Sequence, residues 1–212
     1  MKRFRLLDDS VDVAPIVAEL AAHPEIWSLD TERQASATEQ RETETVMLCG
    51  HEAGLSFKQA RTRHPFRYVG RPTTVAAALP AATAFVDRLA RRVRGRTGRA
   101  AIVRLPPRGR VYEHTDFGLY YQLRDRFHLV LQSEAGSPLR AGPQQIHMRE
   151  GELWWFENRI PHEAWNESAQ QDRIHLIVDV LTPRAVATLP VRLASSPRRY
   201  LGGAVRRLTR GH

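Results

Sequence analysis

Glu152-Leu153-Trp154-Trp155-Phe156-Glu157, His162-Glu163-Ala164-Trp165-Asn166 and Arg173-Ile174-His175-Leu176-Ile177-Val178-Asp179-Val180-Leu181 follow one another in a single stretch of the chain. Each segment is short, rich in aromatic or β-branched residues and bounded by turn formers, the pattern of a β-strand. Toward the N-terminus the same pattern marks Ala100 to Leu105, Arg110 to His114, Arg126 to Gln132 and Gln145 to Met148. The intervening Pro106-Pro107-Arg108-Gly109, Ala135-Gly136-Ser137-Pro138, Ala141-Gly142-Pro143 and Arg149-Glu150-Gly151 are turns punctuated by Gly or Pro. Strands at this spacing predict a mainly β fold, an antiparallel sandwich or barrel.

The first third of the chain reads differently. Val13, Ile16, Val17, Leu20 and Ala21 recur at helical spacing, with Pro15 tolerable in a first turn. Asp30 to Glu44 is polar and aromatic-free and reads as a loop, and Thr45 to Cys49 as a short strand. A second helix is expected from Pro80 through Phe85, Val86, Leu89 and Val93 to a C-terminal stop at Gly95, presenting Arg88, Arg91, Arg92 and Arg94 outward. The layout is one domain over 1–183, with a helical and mixed part over 1–98 and a β core over 99–183, followed by a basic tail over 184–212 holding a short helix and a mobile end.

At 212 residues and 42% hydrophobic, the chain can bury a sizeable core. Cys49 is the only cysteine, which excludes an intramolecular disulfide or a Cys-rich zinc site and points to a reducing compartment. Acids at Asp8 and Asp9 arrive before any apolar signal-peptide region forms, and no stretch is long and apolar enough to span a bilayer, so a cytoplasmic location is expected. The net charge of +9 is concentrated: nine arginines and no acid lie from Arg88 to Arg110, and seven arginines and no acid follow Asp179. Such clusters attract nucleic acid or anionic membrane, yet Lys2 and Lys58 are the only lysines, so arginine is this chain's habitual surface cation. Nucleic acid is not expected, for want of aromatic platform motifs or zinc-finger spacing. Peripheral contact with anionic membrane stays open.

His114-Thr115-Asp116, with His162 and Arg173 downstream, carries the chemistry. Two imidazoles and a carboxylate on one face of an ion leave half its octahedron open, the arrangement of non-heme Fe(II) oxygenases. A guanidinium nearby can grip an organic acid through two parallel bonds. The bare triplet means little, because nine histidines and 23 acids in 212 residues give about one such match by chance. A second copy, His23-Pro24-Glu25, has no distal partner and reads as a loop. Alternation along a strand points His114 and Asp116 to the same side. Arg173, after a turn through Ser168 to Asp172, is expected beside His162 in an antiparallel pair.

From Gly151 to Asn158, from His162 to Asn166 and from Arg173 to Val180, the chain resembles the aspartyl/asparaginyl β-hydroxylase family. The resemblance covers roughly residues 100 to 183. It implies a double-stranded β-helix, the cupin-like jelly roll, and an oxygenase using Fe(II), 2-oxoglutarate and O2. By the same resemblance His114, Asp116 and His162 bind the metal. Arg173 holds the distal carboxylate of 2-oxoglutarate, and Arg126 and His128, matching the family's R-x-H element, assist the cosubstrate or the metal's outer shell. Animal protein-modifying members carry glycine at the second triad position. Asp116 therefore sets this chain closer to bacterial members, among them cis-proline hydroxylases acting on free amino acids.

The expected function is hydroxylation of an unactivated C–H of a small amino acid, peptide or amino-acid-derived metabolite, with succinate and CO2 as coproducts. A membrane lipid or a protein side chain is an alternative substrate. A non-catalytic cupin-like protein sensing a metal and a carboxylate is the alternative outside enzymes.

Overall fold

The computed structural model describes residues 3–29, 38–50, 65 and 68–194. Among the described residues eleven strands, all paired antiparallel, form two sheets. They are β1 (Phe4–Asp8), β2 (Glu44–Gly50), β3 (Arg71–Pro72), β4 (Arg96–Leu105), β5 (Arg110–His114), β6 (Asp125–Gln132), β7 (Pro138–Ala141), β8 (Gln144–His147), β9 (Leu153–Phe156), β10 (His162–Trp165) and β11 (Arg173–Leu181). The major sheet has the order β1-β9-β6-β11-β4-β2-β3 and the minor sheet β5-β10-β7-β8. In the core the chain passes repeatedly from one sheet to the other, as β4 to β5, β9 to β10 and β10 to β11, which is the double-stranded β-helix.

Alternation along the major strands divides the interior in two. Ile102, Leu176, Val178, Phe127 and Leu129 face outward into a core closed by helices α1 (Ala14–Ala22) and α2 (Pro80–Arg92). Ile16 and Leu20 of α1 and Phe85, Val86 and Leu89 of α2 are buried there, each apolar side chain worth about 1.5–3 kcal/mol. The opposite face meets the minor sheet through Val130, Leu139, Ala141, Phe156 and Ala164, which fill one end of the roll. Met47, Ala101, Val103 and Ile177 form a separate small apolar floor.

Arg88, Arg91, Arg92 and Arg94 lie exposed along and just beyond α2, as the helical spacing predicts, and Arg92 is tied to Asp8 at 2.7 Å. Helix α2 stops short of Gly95: Arg94 takes the left-handed backbone (φ 53°), and Gly95 is required because a Cβ there would stand 2.4 Å from Val180. Past β11, α4 (Pro183–Ala187) starts on the Thr182 cap and α5 (Leu189–Ala194) follows, both after the short α3 (Leu119–Gln122) in chain order. Arg192 of α5 donates to Asp125 at 2.8 Å, so the first part of the basic segment is bound to the body. The remainder of that tail, and residues 30–37 of the loop expected from Asp30 to Glu44, lie outside the described residues, while the rest of that loop holds a 3-10 turn, Thr38–Gln40, and reaches β2 at Glu44.

Among the described residues no helix is long and apolar enough to cross a membrane.

Candidate metal centre

His114 ends β5 and pairs directly with His162, which opens β10, so the minor sheet sets two imidazoles side by side with ring centroids 4.3 Å apart. Asp116 lies two residues past the end of β5. Strand alternation alone therefore does not position it. Its backbone N–H donates to Asn158 O at 3.2 Å, and Asn158 Nδ2 donates to Asp116 Oδ2 at 2.9 Å, locking the loop after β5 against the loop after β9. One ligand atom from each of His114, Asp116 and His162 falls within 4.8 Å of the others, and His162 Nε2 stands 4.0 Å from Asp116 Oδ2.

Both imidazoles are oriented by the same device. Nδ1 of His114 lies 2.8 Å from Tyr112 O and Nδ1 of His162 lies 2.9 Å from Ile160 O. A carbonyl only accepts, so each Nδ1 carries the proton and each Nε2 keeps a lone pair aimed at the shared point. Burial lowers the His162 pKa to about 4 against the pull of Asp116, which leaves the ring neutral at ordinary pH. Burial would raise Asp116, but Arg126 foremost, then the two histidines and the Asn158 bond, hold its carboxyl well below the usual range.

Arg126, the first residue of the R-x-H element, is placed on that carboxylate. Its Nη1 donates to Asp116 Oδ2, while Nε and Nη2 donate to Asp179 at 2.8 and 3.1 Å. Asp179 accepts from Arg126 and, at 3.3 Å, from Tyr120. His128 points to the same interior, with Nδ1 3.2 Å from His175 Nδ1 and its ring edge-on to Phe156.

The structure does not pair Arg173 with His162. His162 belongs to the minor sheet, between β5 and β7, and Arg173 to the major sheet, between β4 and β6. The connection is a crossing from sheet to sheet. Asn166 fixes it by donating to the carbonyls of Leu105, Pro106 and Gln171. Arg173 is buried, its Nε and Nη2 find no hydrogen-bond partner among the described residues, and burial lowers its pKa to about 10. A buried guanidinium with open donors is costly unless an anion completes it.

Three neighbours carried no sequence assignment. Asn158 grips Asp116, and Tyr121 stacks under Arg126 at 5.3 Å. Gln40, in the 3-10 turn Thr38–Gln40, sets Nε2 3.1 Å from His114 Nε2, at the mouth of the site. Asn, Tyr and Gln have too many ordinary uses for residue type alone to single them out. The pseudo-triplet His23-Pro24-Glu25 is exposed at the start of a 3-10 turn, and His23 bonds its own Glu25 at 3.2 Å.

The family model for aspartyl/asparaginyl beta-hydroxylase matches residues 14–183. An L-proline cis-4-hydroxylase of Rhizobium meliloti (strain 1021) is 31% identical over 78 residues, a match spanning 37% of this chain and 28% of that protein. Two solved structures share the fold at low identity. A prolyl-4-hydroxylase of Pseudomonas putida is 13% identical, covers 85% of this chain and 92% of its own, and has a TM-score of 0.50. A prolyl hydroxylase of Trichoplax adhaerens, in complex with a peptide fragment of the hypoxia inducible factor oxygen degradation domain, is 14% identical, covers 92% and 88%, and has a TM-score of 0.56.

Proposed function

Because the chain belongs to the aspartyl/asparaginyl β-hydroxylase family, we propose that it is an Fe(II)- and 2-oxoglutarate-dependent dioxygenase hydroxylating a free amino acid or a small amino-acid derivative. The observation that carries this reading is the pairing of a convergent two-histidine, one-carboxylate donor set with the open donors of buried Arg173. Two imidazoles and one carboxylate suit Fe(II) with coordination positions left open. The planar fork of Arg173 suits a carboxylate. Iron and 2-oxoglutarate bound there would supply oxygen activation, one atom of O2 going to the substrate C–H and the other to succinate as CO2 is lost.

The residues divide the remaining work. His114, Asp116 and His162 hold the metal, and Arg126 with Asn158 keeps the Asp116 carboxylate ionised and turned toward it. Arg173 takes the distal carboxylate of the cosubstrate, beside His175, which burial keeps neutral and which lies 3.2 Å from His128. Met47, Ala101, Val103 and Ile177 form a small apolar cluster on the same sheet as Arg173. A free amino acid is favoured as substrate by Asp116 at the second triad position and by the likeness to the Rhizobium enzyme, so L-proline is the first compound to test. The lone Cys49, buried with its thiol pushed up to about 11 mainly by desolvation, suits a reducing, cytoplasmic setting.

Anaerobic addition of Fe(II) and then 2-oxoglutarate should give a weak visible charge-transfer band, and admission of oxygen should yield succinate. A protein that gives neither is not a 2-oxoglutarate oxygenase. One that gives the band without substrate-stimulated succinate is a sensor of the same ligands.

A further inference from the structure

Arg173 is not the only inward-facing group of the major sheet whose polar atoms lack partners. The strand register sets Thr45 of β2 and His175 of β11 on either side of Val103 of β4, with Arg173 at the next inward position of β11, beside Leu105. Directly paired residues share a face, as do residues two apart on one strand, so all three side chains lie on the face of Val103. Thr45 Oγ1, His175 Nε2 and Arg173 Nε and Nη2 are buried with no hydrogen-bond partner among the described residues. Buried polar atoms are normally satisfied, so several orphans on one patch of one sheet point to a ligand that satisfies them together. Val103 keeps 8% exposure between Thr45 and His175, and Arg173 keeps 7%, so water-sized space adjoins the patch.

His175 can donate into that space. Burial first, then the nearby charge of Arg173, holds its pKa well below the usual imidazole range, so the ring is neutral and carries one proton. Its Nδ1 lies 3.2 Å from Nδ1 of His128. One of the two must donate in that bond, and with His128 as donor the His175 proton is on Nε2. The orphans then read as donors throughout: two N–H groups from Arg173, one from His175 and a hydroxyl from Thr45. A carboxylate offers about four lone-pair sites on its two oxygens, which matches. Thr45 and His175 stand two strand spacings apart, about 10 Å between Cα atoms, an interval that a hydroxyl, a carboxylate and an imidazole can span in hydrogen-bonded series.

We propose that His175 and Thr45 complete, with Arg173, the seat of the cosubstrate's distal carboxylate over Val103. The inference rests on the oxygenase reading and adds two residues that set the preference for a dicarboxylic 2-oxo acid. Arg173 supplies the charge, while the imidazole and the hydroxyl fix where the carboxylate rests. Neutral donors suit the task, because a second buried cation would carry a charge that one carboxylate does not offset.

The test is an anaerobic titration of the iron-loaded full chain, read by the visible charge-transfer band. The ligands are 2-oxoglutarate and 2-oxovalerate, which has the same carbon skeleton with a methyl group in place of the distal carboxylate. Wild type should bind 2-oxoglutarate far more tightly. His175→Phe and Thr45→Val, each close in shape to the residue replaced, should each weaken 2-oxoglutarate about 3–10-fold, the loss of one neutral hydrogen bond, and leave 2-oxovalerate within about twofold. His175→Gln, which returns an N–H near the position of Nε2, should recover part of the affinity. If His175→Phe fails to fold, His175→Gln decides for that residue, with a loss of about 2–5-fold confined to 2-oxoglutarate. Unchanged 2-oxoglutarate affinity in Thr45→Val or in the His175 variants overturns the assignment. So does an equal loss for both 2-oxo acids, which a merely structural role would give. A wild type that shows the band but binds the two acids alike has no seat for a distal carboxylate, and the inference falls while iron and 2-oxo acid binding stand. Absence of the band in wild type removes the oxygenase reading and the inference with it.

Discussion

The chain holds two histidine-x-acid triplets, and they differ in everything except spelling. At His23-Pro24-Glu25 the imidazole and the carboxylate bond each other at 3.2 Å, with side chains 40% and 64% exposed. At His114-Thr115-Asp116 they do not touch. The imidazole proton goes to Tyr112 O, leaving Nε2 toward Gln40 at 3.1 Å, and the carboxylate's Oδ2 takes Arg126 and Asn158 while standing 4.0 Å from His162 Nε2. A metal site is thus made as much by what satisfies the far side of each ligand as by the ligands. An exposed pair that satisfies itself has nothing left to offer.

The contrast breaks most sharply at the ligands. His114→Ala or His162→Ala should lower iron-dependent succinate formation at least about 10³-fold, beyond the 10–100-fold typical of losing an outer-shell partner. His23→Ala should leave turnover within about twofold of wild type. An active His114→Ala protein would remove the triad from the chemistry.

Next in size is Arg126→Met. It strands two carboxylates, Asp116 and Asp179, in surroundings where each is under a tenth exposed. Removing one member of a buried ion network costs about 3–5 kcal/mol, which for a domain of this size is a fall of about 10 °C in Tm without metal. Iron should restore part of the loss, because the ion neutralises Asp116 directly. A drop that iron leaves unchanged would mean that Asp116 does not face a metal. Arg173→Met points the other way. That cation is buried with no partner for Nε and Nη2 among the described residues, so replacing it should leave Tm equal or higher while raising KM for 2-oxoglutarate about 10²-fold.

The same contrast shows how far the amino-acid sequence can be read. The β-branched run Arg173 to Leu181 has the bounds its composition predicts, whereas the strand expected from Ala100 to Leu105 begins at Arg96 and the one expected from Glu152 to Glu157 spans Leu153–Phe156. Phe4–Asp8 and Pro138–Ala141 have no such run. They are strands because β9, and β10 with β8, supply the pairing, and the latter sits between two glycine turns that masked it. At the site, His114, Asp116, His162 and Arg173 stand out because few chemistries need those residue types in that order. Their spatial relation was less accessible: a short turn before Arg173 suggests a hairpin with β10, whereas the roll sends β11 into the other sheet. Asn158 acts through a partner 42 residues away, which no local pattern carries.

Asn158 offers the finest adjustment. Asn158→Ala deletes one of two side-chain clamps on Asp116 and leaves Arg126 in place, while the backbone bond from Asp116 N–H to residue 158 survives. The carboxylate should stay ionised but lose its fixed rotation, so iron affinity is expected to weaken about tenfold, at the low end for an outer-shell partner. Turnover at saturating iron should change less than that. Asn158→Asp would place a second carboxylate against Asp116, and Arg126 would then be shared among three acids. If Asn158→Ala binds iron as tightly as wild type, Arg126 and the backbone bond suffice to aim Asp116. The difference between the two triplets would then reduce to a single guanidinium.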